Sequence, residues 1–153
     1  MALGTRRTPE RRSPLLSGVV VQKMSANEQV LSTAGGVVTM TTDQLLGGML
    51  LCDTQDAQTL TTPTAAAIVA AIPGCEIGTT VVLHIINHGD STLTVGLGTG
   101  VVQHALAGTD SVLTIATVTA KAFAFRVTGV QAQGSTADAV EIIGLSASAA
   151  SVS

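Results

Sequence analysis

Short runs of β-branched and other apolar residues recur along this chain, and glycine, asparagine or aspartate separates one run from the next. In the runs “STLTV”, “SVLTI” and “KAFAFRV”, apolar residues alternate with small or polar ones. This alternation is typical of half-buried antiparallel strands, and turns at intervals of roughly 8–12 residues favour a sandwich or a small barrel. We therefore predict a mainly β fold, an antiparallel β-sandwich or jelly-roll-like domain. The sequence shows no internal repeat.

One segment, “TTPTAAAIVAAIPG” at residues 61–74, is typical of a helix instead. Thr62 is a suitable N-cap, Pro63 suits the first helical position, and the Pro-Gly pair near the end stops the run. We predict one short α-helix over about residues 63–72. Because so short a helix is not stable alone, its apolar residues are expected to pack against a sheet. These residues are Ile68, Val69 and Ile72.

The charged residues are few and unevenly distributed along the 153 residues. Only 11% of the residues are charged, against about 25% in an average soluble domain. Residues 1–12 contain four arginines and one glutamate, whereas the rest of the chain is acidic. We predict an extended basic arm over residues 1–17, a single β domain over residues 18–147 and a flexible tail over residues 148–153.

The arm carries the candidate contact residues of this chain, which are Arg6, Arg7, Arg11 and Arg12. The arm has two prolines and no apolar period, so it cannot pack a core of its own. Two interpretations stay open: the arm becomes ordered against a partner, or it is a solvated tail. A guanidinium group binds a carboxylate through two parallel hydrogen bonds, which favours an acidic partner surface. The low charge of the body also favours an obligate assembly in which neighbours cover its faces.

No stretch of the sequence is typical of a membrane span or a secretory signal, so no membrane partner is predicted. The longest uninterrupted apolar run is Ala65–Ile72, far shorter than the ~20 residues that cross a bilayer. Pro14 and Gly18 interrupt the apolar segment near the N-terminus. Cys52 and Cys75 match no disulfide framework or zinc pattern, and we expect two buried thiols made in a reducing cytoplasm.

The residues capable of chemistry form no recognisable catalytic or metal-binding pattern. The glycines of “GLGTG” lack the spacing of a dinucleotide loop and are expected in a turn. His84 and His88, four residues apart on a predicted strand, would lie about 13 Å apart, too far to share a metal ion. Phe123 and Phe125 are too few to build a stacking platform for sugars or single-stranded nucleic acid and are expected in the core. We predict a non-enzymatic protein with no catalytic, cofactor-binding or metal-binding residues and no nucleic-acid partner.

Residues 59–102 resemble a segment that recurs in structural proteins of tailed bacteriophages and some other large DNA viruses. The shared pattern is a TPTAAA helix, a proline stop, a strand that starts at Gly-Thr and ends in IIN, then a short strand and a Gly-Thr-Gly turn. The resemblance implies a β-sandwich-like virion module, often trimeric, without catalytic residues. The helix is then expected to act as a lid over one end or face of the sandwich.

Together, the resemblance and the low charge predict a capsid decoration or cement protein that binds the outer shell in many copies. Its predicted partners are the major capsid protein and other copies of itself in a homotrimer. Its predicted location is the virion, assembled in the host cytoplasm. The alternative is a trimeric tail-fibre or head-fibre module that contacts the host surface.

Overall fold

The computed structural model describes residues 25–30, for which only the backbone is considered, together with residues 35–104 and 113–145. The predicted arm at residues 1–17 and the tail at residues 148–153 lie outside these ranges. The strands are β1 (Ser25–Val30), β2 (Gly36–Thr39), β3 (Gly48–Asp53), β4 (Gln58–Thr61), β5 (Thr80–Asn87), β6 (Leu93–Gly96), β7 (Val101–Gln103), β8 (Thr114–Ile115), β9 (Thr119–Gly129) and β10 (Ala139–Gly144). The helices are α1 (Thr42–Leu46), α2 (Ala65–Ala71) and a 3₁₀-helix at Gln131–Gln133.

The strands form two sheets. Sheet A has the strand order β1-β3-β5-β9-β10-β7, and sheet B has the order β2-β4-β6-β8. Within the described residues, five of the eight strand pairings are parallel and three are antiparallel. The prediction of a mainly β fold is confirmed, whereas an antiparallel sandwich or jelly roll is not, because both sheets are mixed.

The parallel pairings arise because successive strands enter opposite sheets. β1, β3 and β5 lie side by side in sheet A, and β2, β4 and β6 lie side by side in sheet B. Each pair of consecutive strands, one in each sheet, therefore forms one coil of a β-helical arrangement. Two neighbouring parallel strands need a long crossover connection between them, and the strand in the opposite sheet is part of that connection. This arrangement is not accompanied by an internal repeat in the sequence. The coils differ in length, because α2 lengthens the link from β4 to β5, and they share few residues.

Each of the two α-helices follows a strand of sheet B. Helix α1 begins at the N-cap Thr41, whose hydroxyl accepts a hydrogen bond from Gln44 N at 3.2 Å while Gln44 Oε1 accepts one from Thr41 N at 2.8 Å. This capping box satisfies two backbone donors at the helix start. The prediction of a single helix is therefore wrong: the five residues of α1 are too few for a helical period in the sequence.

Helix α2 is shorter than predicted and begins later. Its N-cap is Thr64, whose hydroxyl accepts a hydrogen bond from Ala67 N at 3.2 Å. Thr62 is not the N-cap, because its buried hydroxyl instead accepts a hydrogen bond from Gly98 N at 2.9 Å, and Pro63 consequently precedes the helix. The predicted packing is confirmed. Ile68 and Ile72 are buried, and Val69 packs against the same core.

The two sheets share one hydrophobic core. Alternate residues of β3, β4, β5, β6, β9 and β10 belong to a single buried cluster. Phe123 and Phe125 are both buried in it, as predicted. The expectation of two buried thiols holds for Cys52 but not for Cys75, which is half-buried. We refer to the sides of the sheets that point away from this core as the outer face of sheet A and the outer face of sheet B.

Candidate functional site

The predicted contact residues Arg6, Arg7, Arg11 and Arg12 lie outside the described residues, so their role remains a prediction. Of the histidines considered as metal ligands, His84 lies in β5 and His88 directly follows it, and both are exposed. Among the described residues, no group of three or more His, Cys, Asp or Glu side chains is placed to hold a metal ion. Burial raises the pKa of the Cys52 thiol to about 12 and also raises the pKa of Cys75.

The outer face of sheet A is apolar across its central strands. In β3 and β5, side chains alternate between fully buried positions in the core and half-buried or exposed positions on this face. The larger outward side chains are absent from the cluster that forms the core. The apolar residues of this face are Met49, Leu51, Val82, Ile86, Val102, Ala120, Ala122, Ala124, Ile143 and Leu145.

The strand register places these side chains in adjacent rows. Leu51 lies beside Ile86, which lies beside Ala120. In the next row Met49 lies beside His84, the polar residue of the central rows. Two large apolar side chains of this face are more exposed, Val102 at 55% and Leu145 at 50%. A mixed or antiparallel sheet that faces water on one side normally carries polar residues there, so this face has the composition of a surface that is covered.

The sequence of β3 and β5 indicates an apolar outer face, although it contains no catalytic motif. β3 reads “GMLLCD” and β5 reads “TVVLHIIN”, nearly continuous apolar runs rather than alternating ones. Such runs are typical of strands that are buried on both faces. Among the described residues, the core covers one face of each strand, and the other face remains half-buried or exposed.

One border of the outer face of sheet A carries a charge-compensated cluster. Glu141 in β10 lies between Arg126 of the neighbouring strand and His104, which follows β7. Arg126 Nη2 donates to Glu141 Oε2, and His104 Nδ1 is hydrogen-bonded to Glu141 Oε1. The hydrogen bond with His104, and then the hydrogen bond and the charge of Arg126, lower the pKa of the Glu141 carboxyl below its usual range. The carboxylate is thereby held ionised and paired.

The outer face of sheet B is different in character, because threonine dominates it. Thr59 lies beside Thr94, Thr94 lies beside Thr114, and Thr39 lies beside Thr61. Threonine suits a half-exposed strand because its branched side chain packs on the pleated surface while its hydroxyl stays in contact with water. Val37, 72% exposed, is the apolar exception on this face. The molecule thus presents one apolar and one polar sheet face.

The residues on which the predicted resemblance to viral proteins is based lie at internal joints. The “GLGTG” turn is bound to the start of α2, since Gly98 N donates to Thr62 Oγ1 and Ala65 N donates to Thr99 O at 2.9 Å each. A Cβ at Gly98 would lie 2.5 Å from the carbonyl oxygen of Pro63, which explains the glycine. The helix therefore does contact the main strands, and these residues hold the fold together.

The asparagine of the “IIN” motif is the centre of a second joint. Asn87 is fully buried, and its Oδ1 accepts hydrogen bonds from Thr54 Oγ1 at 2.7 Å and Gly89 N at 3.2 Å. Its Nδ2 donates to the carbonyl oxygens of Ser91 at 2.7 Å and Ile115 at 3.3 Å. One side chain thus ties together the ends of β3, β5 and β8 and the turn that leads into β6.

Neither joint has the geometry of a reactive site, because the polar groups are occupied by structural hydrogen bonds.

None of the helices in the described ranges has the length and apolar character needed to cross a bilayer. No protein-family model matches this sequence, and no curated protein or solved structure shows significant similarity to it.

Proposed function

We propose that this chain is a non-enzymatic structural protein of a virus particle, a capsid decoration or cement protein that binds the outer shell in many copies and stabilises it. The observation that carries the proposal is the apolar outer face of sheet A, which requires a covering partner. The low charge of the sequence and the resemblance of residues 59–102 to viral structural proteins support the same assignment.

A protein of this kind acts through contact area rather than through a reactive group. Each additional ~1,000 Å² of well-packed contact across a seam between capsid subunits can add several kcal/mol to a marginal lattice. The basic arm suits attachment to an acidic shell surface, because arginine stays charged and forms paired hydrogen bonds with carboxylates. The partners in this proposal are the major capsid protein and further copies of the chain.

Copy number tests the proposal directly. Quantitative mass spectrometry of purified particles of the virus that encodes the chain should find hundreds of copies per particle. A handful of copies per particle would contradict a decoration role and would instead indicate a component of a tail or a fibre.

The arm is tested separately on particles from which the protein has been removed. Replacing Arg6, Arg7, Arg11 and Arg12 by serine should weaken binding to the shell, since several charge-assisted contacts disappear. The β domain should keep the far-UV circular dichroism spectrum of the unaltered protein. Binding of the unaltered protein should also weaken as salt concentration rises. Equal binding of both proteins at all salt concentrations would show that the arm is a passive tail.

The threonine-rich outer face of sheet B favours a second candidate, a trimeric tail-fibre or head-fibre module. A polar, exposed face that needs no partner for stability is available for contact with a host surface. Binding of the purified protein to host cells, saturable and abolished by Thr59→Lys or Thr94→Lys, would support this alternative. Absence of cell binding together with high copy number on the particle supports decoration.

A further inference from the structure

We infer that the outer face of sheet A is the contact by which copies of this chain bind one another. The inference specifies one partner of the proposed assembly, and it depends on that proposal only for its biological setting. Self-association can be measured on the purified protein without any virus particle. Failure of the inference and failure of the proposed function are therefore distinguishable.

The extent of the face suits a stable contact between two copies. The strands from β3 to β10 are spaced by about 4.8 Å and outward side chains repeat about every 6.7 Å along each strand, so the three apolar rows cover roughly 20 by 20 Å. This is about 400 Å² of flat area on each copy, before the relief of the side chains is counted. Two such faces give about 800 Å² of flat area, and the relief of the side chains brings the buried area toward the ~1,000 Å² that a specific interface requires.

The composition of the face favours a second copy over a partner encoded elsewhere. Interfaces that form once and persist are more apolar than those between proteins that must first exist separately. Leu51, Ile86 and Ile143 direct large apolar side chains away from the core, as expected of an interface that forms once and persists. With only 11% charged residues, the chain has little surface charge to prevent aggregation through this face before it reaches a shell. Another copy is available as soon as the chain is made.

The charges around the face permit identical surfaces to approach. Glu141 at one border is already paired with Arg126 and His104 of the same chain. Two copies therefore do not bring the Glu141 carboxylate uncompensated against its own image, which would cost several kcal/mol. Asp53 on β3 lies at the end of its strand, beyond the apolar rows. His84 is exposed within the rows.

The experiment compares the full-length chain with single lysine substitutions by sedimentation velocity and equilibrium at micromolar concentration. Ile86→Lys and Ile143→Lys each place a charge in the apolar rows, and each should weaken self-association by roughly a hundredfold or more. Thr94→Lys is the matched control, since Thr94 is also half-buried in mid-strand but belongs to the outer face of sheet B. Far-UV circular dichroism identifies any variant that fails to fold, and two sheet A variants are made so that one can replace the other.

The expected result is a defined oligomer for the unaltered chain and for Thr94→Lys, with a shift toward the 15.3 kDa monomer for the folded sheet A variants. A mass other than that of three copies would correct the homotrimer prediction while leaving the contact surface in place. The inference is overturned if the unaltered chain is monomeric, which would mean that its own N-terminal segment or another protein covers the face. It is also overturned if the folded sheet A variants remain associated like the unaltered chain, or if all three variants dissociate alike.

Discussion

Replacing Asn87 by alanine should destabilise the fold more than any surface substitution, because its buried amide forms hydrogen bonds with several neighbouring groups. The change removes the acceptor for Gly89 N and the donor for the Ile115 carbonyl oxygen, both in buried hydrogen bonds. The Thr54 hydroxyl is affected less, because it lies 2.7 Å from the Ser91 carbonyl oxygen as well. At roughly 1–3 kcal/mol for each buried group left unsatisfied, the free energy of unfolding should fall by about 3 kcal/mol. That is a large share of the roughly 5–15 kcal/mol that stabilises a typical domain.

The assay is urea unfolding followed by far-UV circular dichroism, with every variant at the same protomer concentration because association contributes to apparent stability. Thr92→Ala, an exposed position in the same turn, is the control and should change the free energy by less than about 0.5 kcal/mol. Asn87→Asp keeps the size of the side chain but directs a carboxylate oxygen at the carbonyl oxygens of Ser91 and Ile115. It should be at least as destabilising at neutral pH and should recover as pH falls, because the protonated acid is neutral and can donate a hydrogen bond. A loss below about 1 kcal/mol for Asn87→Ala, or an Asn87→Asp variant of unaltered stability at neutral pH, would refute the reasoning.

Three further predictions concern separate parts of the molecule. Gly98→Ala should lower the free energy of unfolding by about 2 kcal/mol or more, because its Cβ would overlap the carbonyl oxygen of Pro63. The same urea titration measures the change, and an unchanged midpoint would contradict the close approach of these two segments. The lowered pKa of Glu141 means that its pairing stabilises the fold above the usual pKa range of a glutamate and is lost as pH falls through the lowered value. The melting temperature of Glu141→Gln should therefore lie slightly below that of the unaltered chain at neutral pH and converge with it in acid, and a constant difference would count against the pairing. In the folded protein a thiol reagent should modify Cys75 alone, since Cys52 is buried with a pKa of about 12; prompt modification of Cys52 would show that its surroundings open readily.

The positions of most strands and the contents of the core could be predicted from local patterns, whereas the direction of the strands could not. An alternating run such as “KAFAFRV” has the same period whether its neighbour is parallel or antiparallel. Connection length usually separates the two cases, because antiparallel neighbours need only a short turn. Here the short links join strands of opposite sheets, such as β3 and β4, so they resemble hairpins in the sequence. Parallel pairing then follows from the coil arrangement, which no single link reveals.

The candidate surface could not be predicted for a related reason. Continuous apolar runs such as that in β5 indicate a strand covered on both faces, but a layer of the same domain and a partner molecule produce the same pattern. Only the positions of α1, α2 and sheet B show which face of sheet A is covered by the described part of the chain. The helices follow strands of sheet B and contribute Leu45 and Ile68 to the shared core. The opposite face is then the one on which we propose that a partner binds.

The joint between α2 and the “GLGTG” turn links the two segments on which the predicted resemblance to viral structural proteins is based. Thr62 N donates to Gly96 O and Ala65 N donates to Thr99 O, so the chain before the helix and the turn after β6 form one hydrogen-bonded unit. A Cβ at Gly100 would lie 2.9 Å from the Cβ of Ala65, which couples the small residues of one segment to the glycines of the other. Proteins that share both segments are therefore expected to share this joint, which positions sheet B against the helix, rather than a reactive site. The joint leaves both outer sheet faces free to vary, and it is on those faces that differences in partner and function are expected.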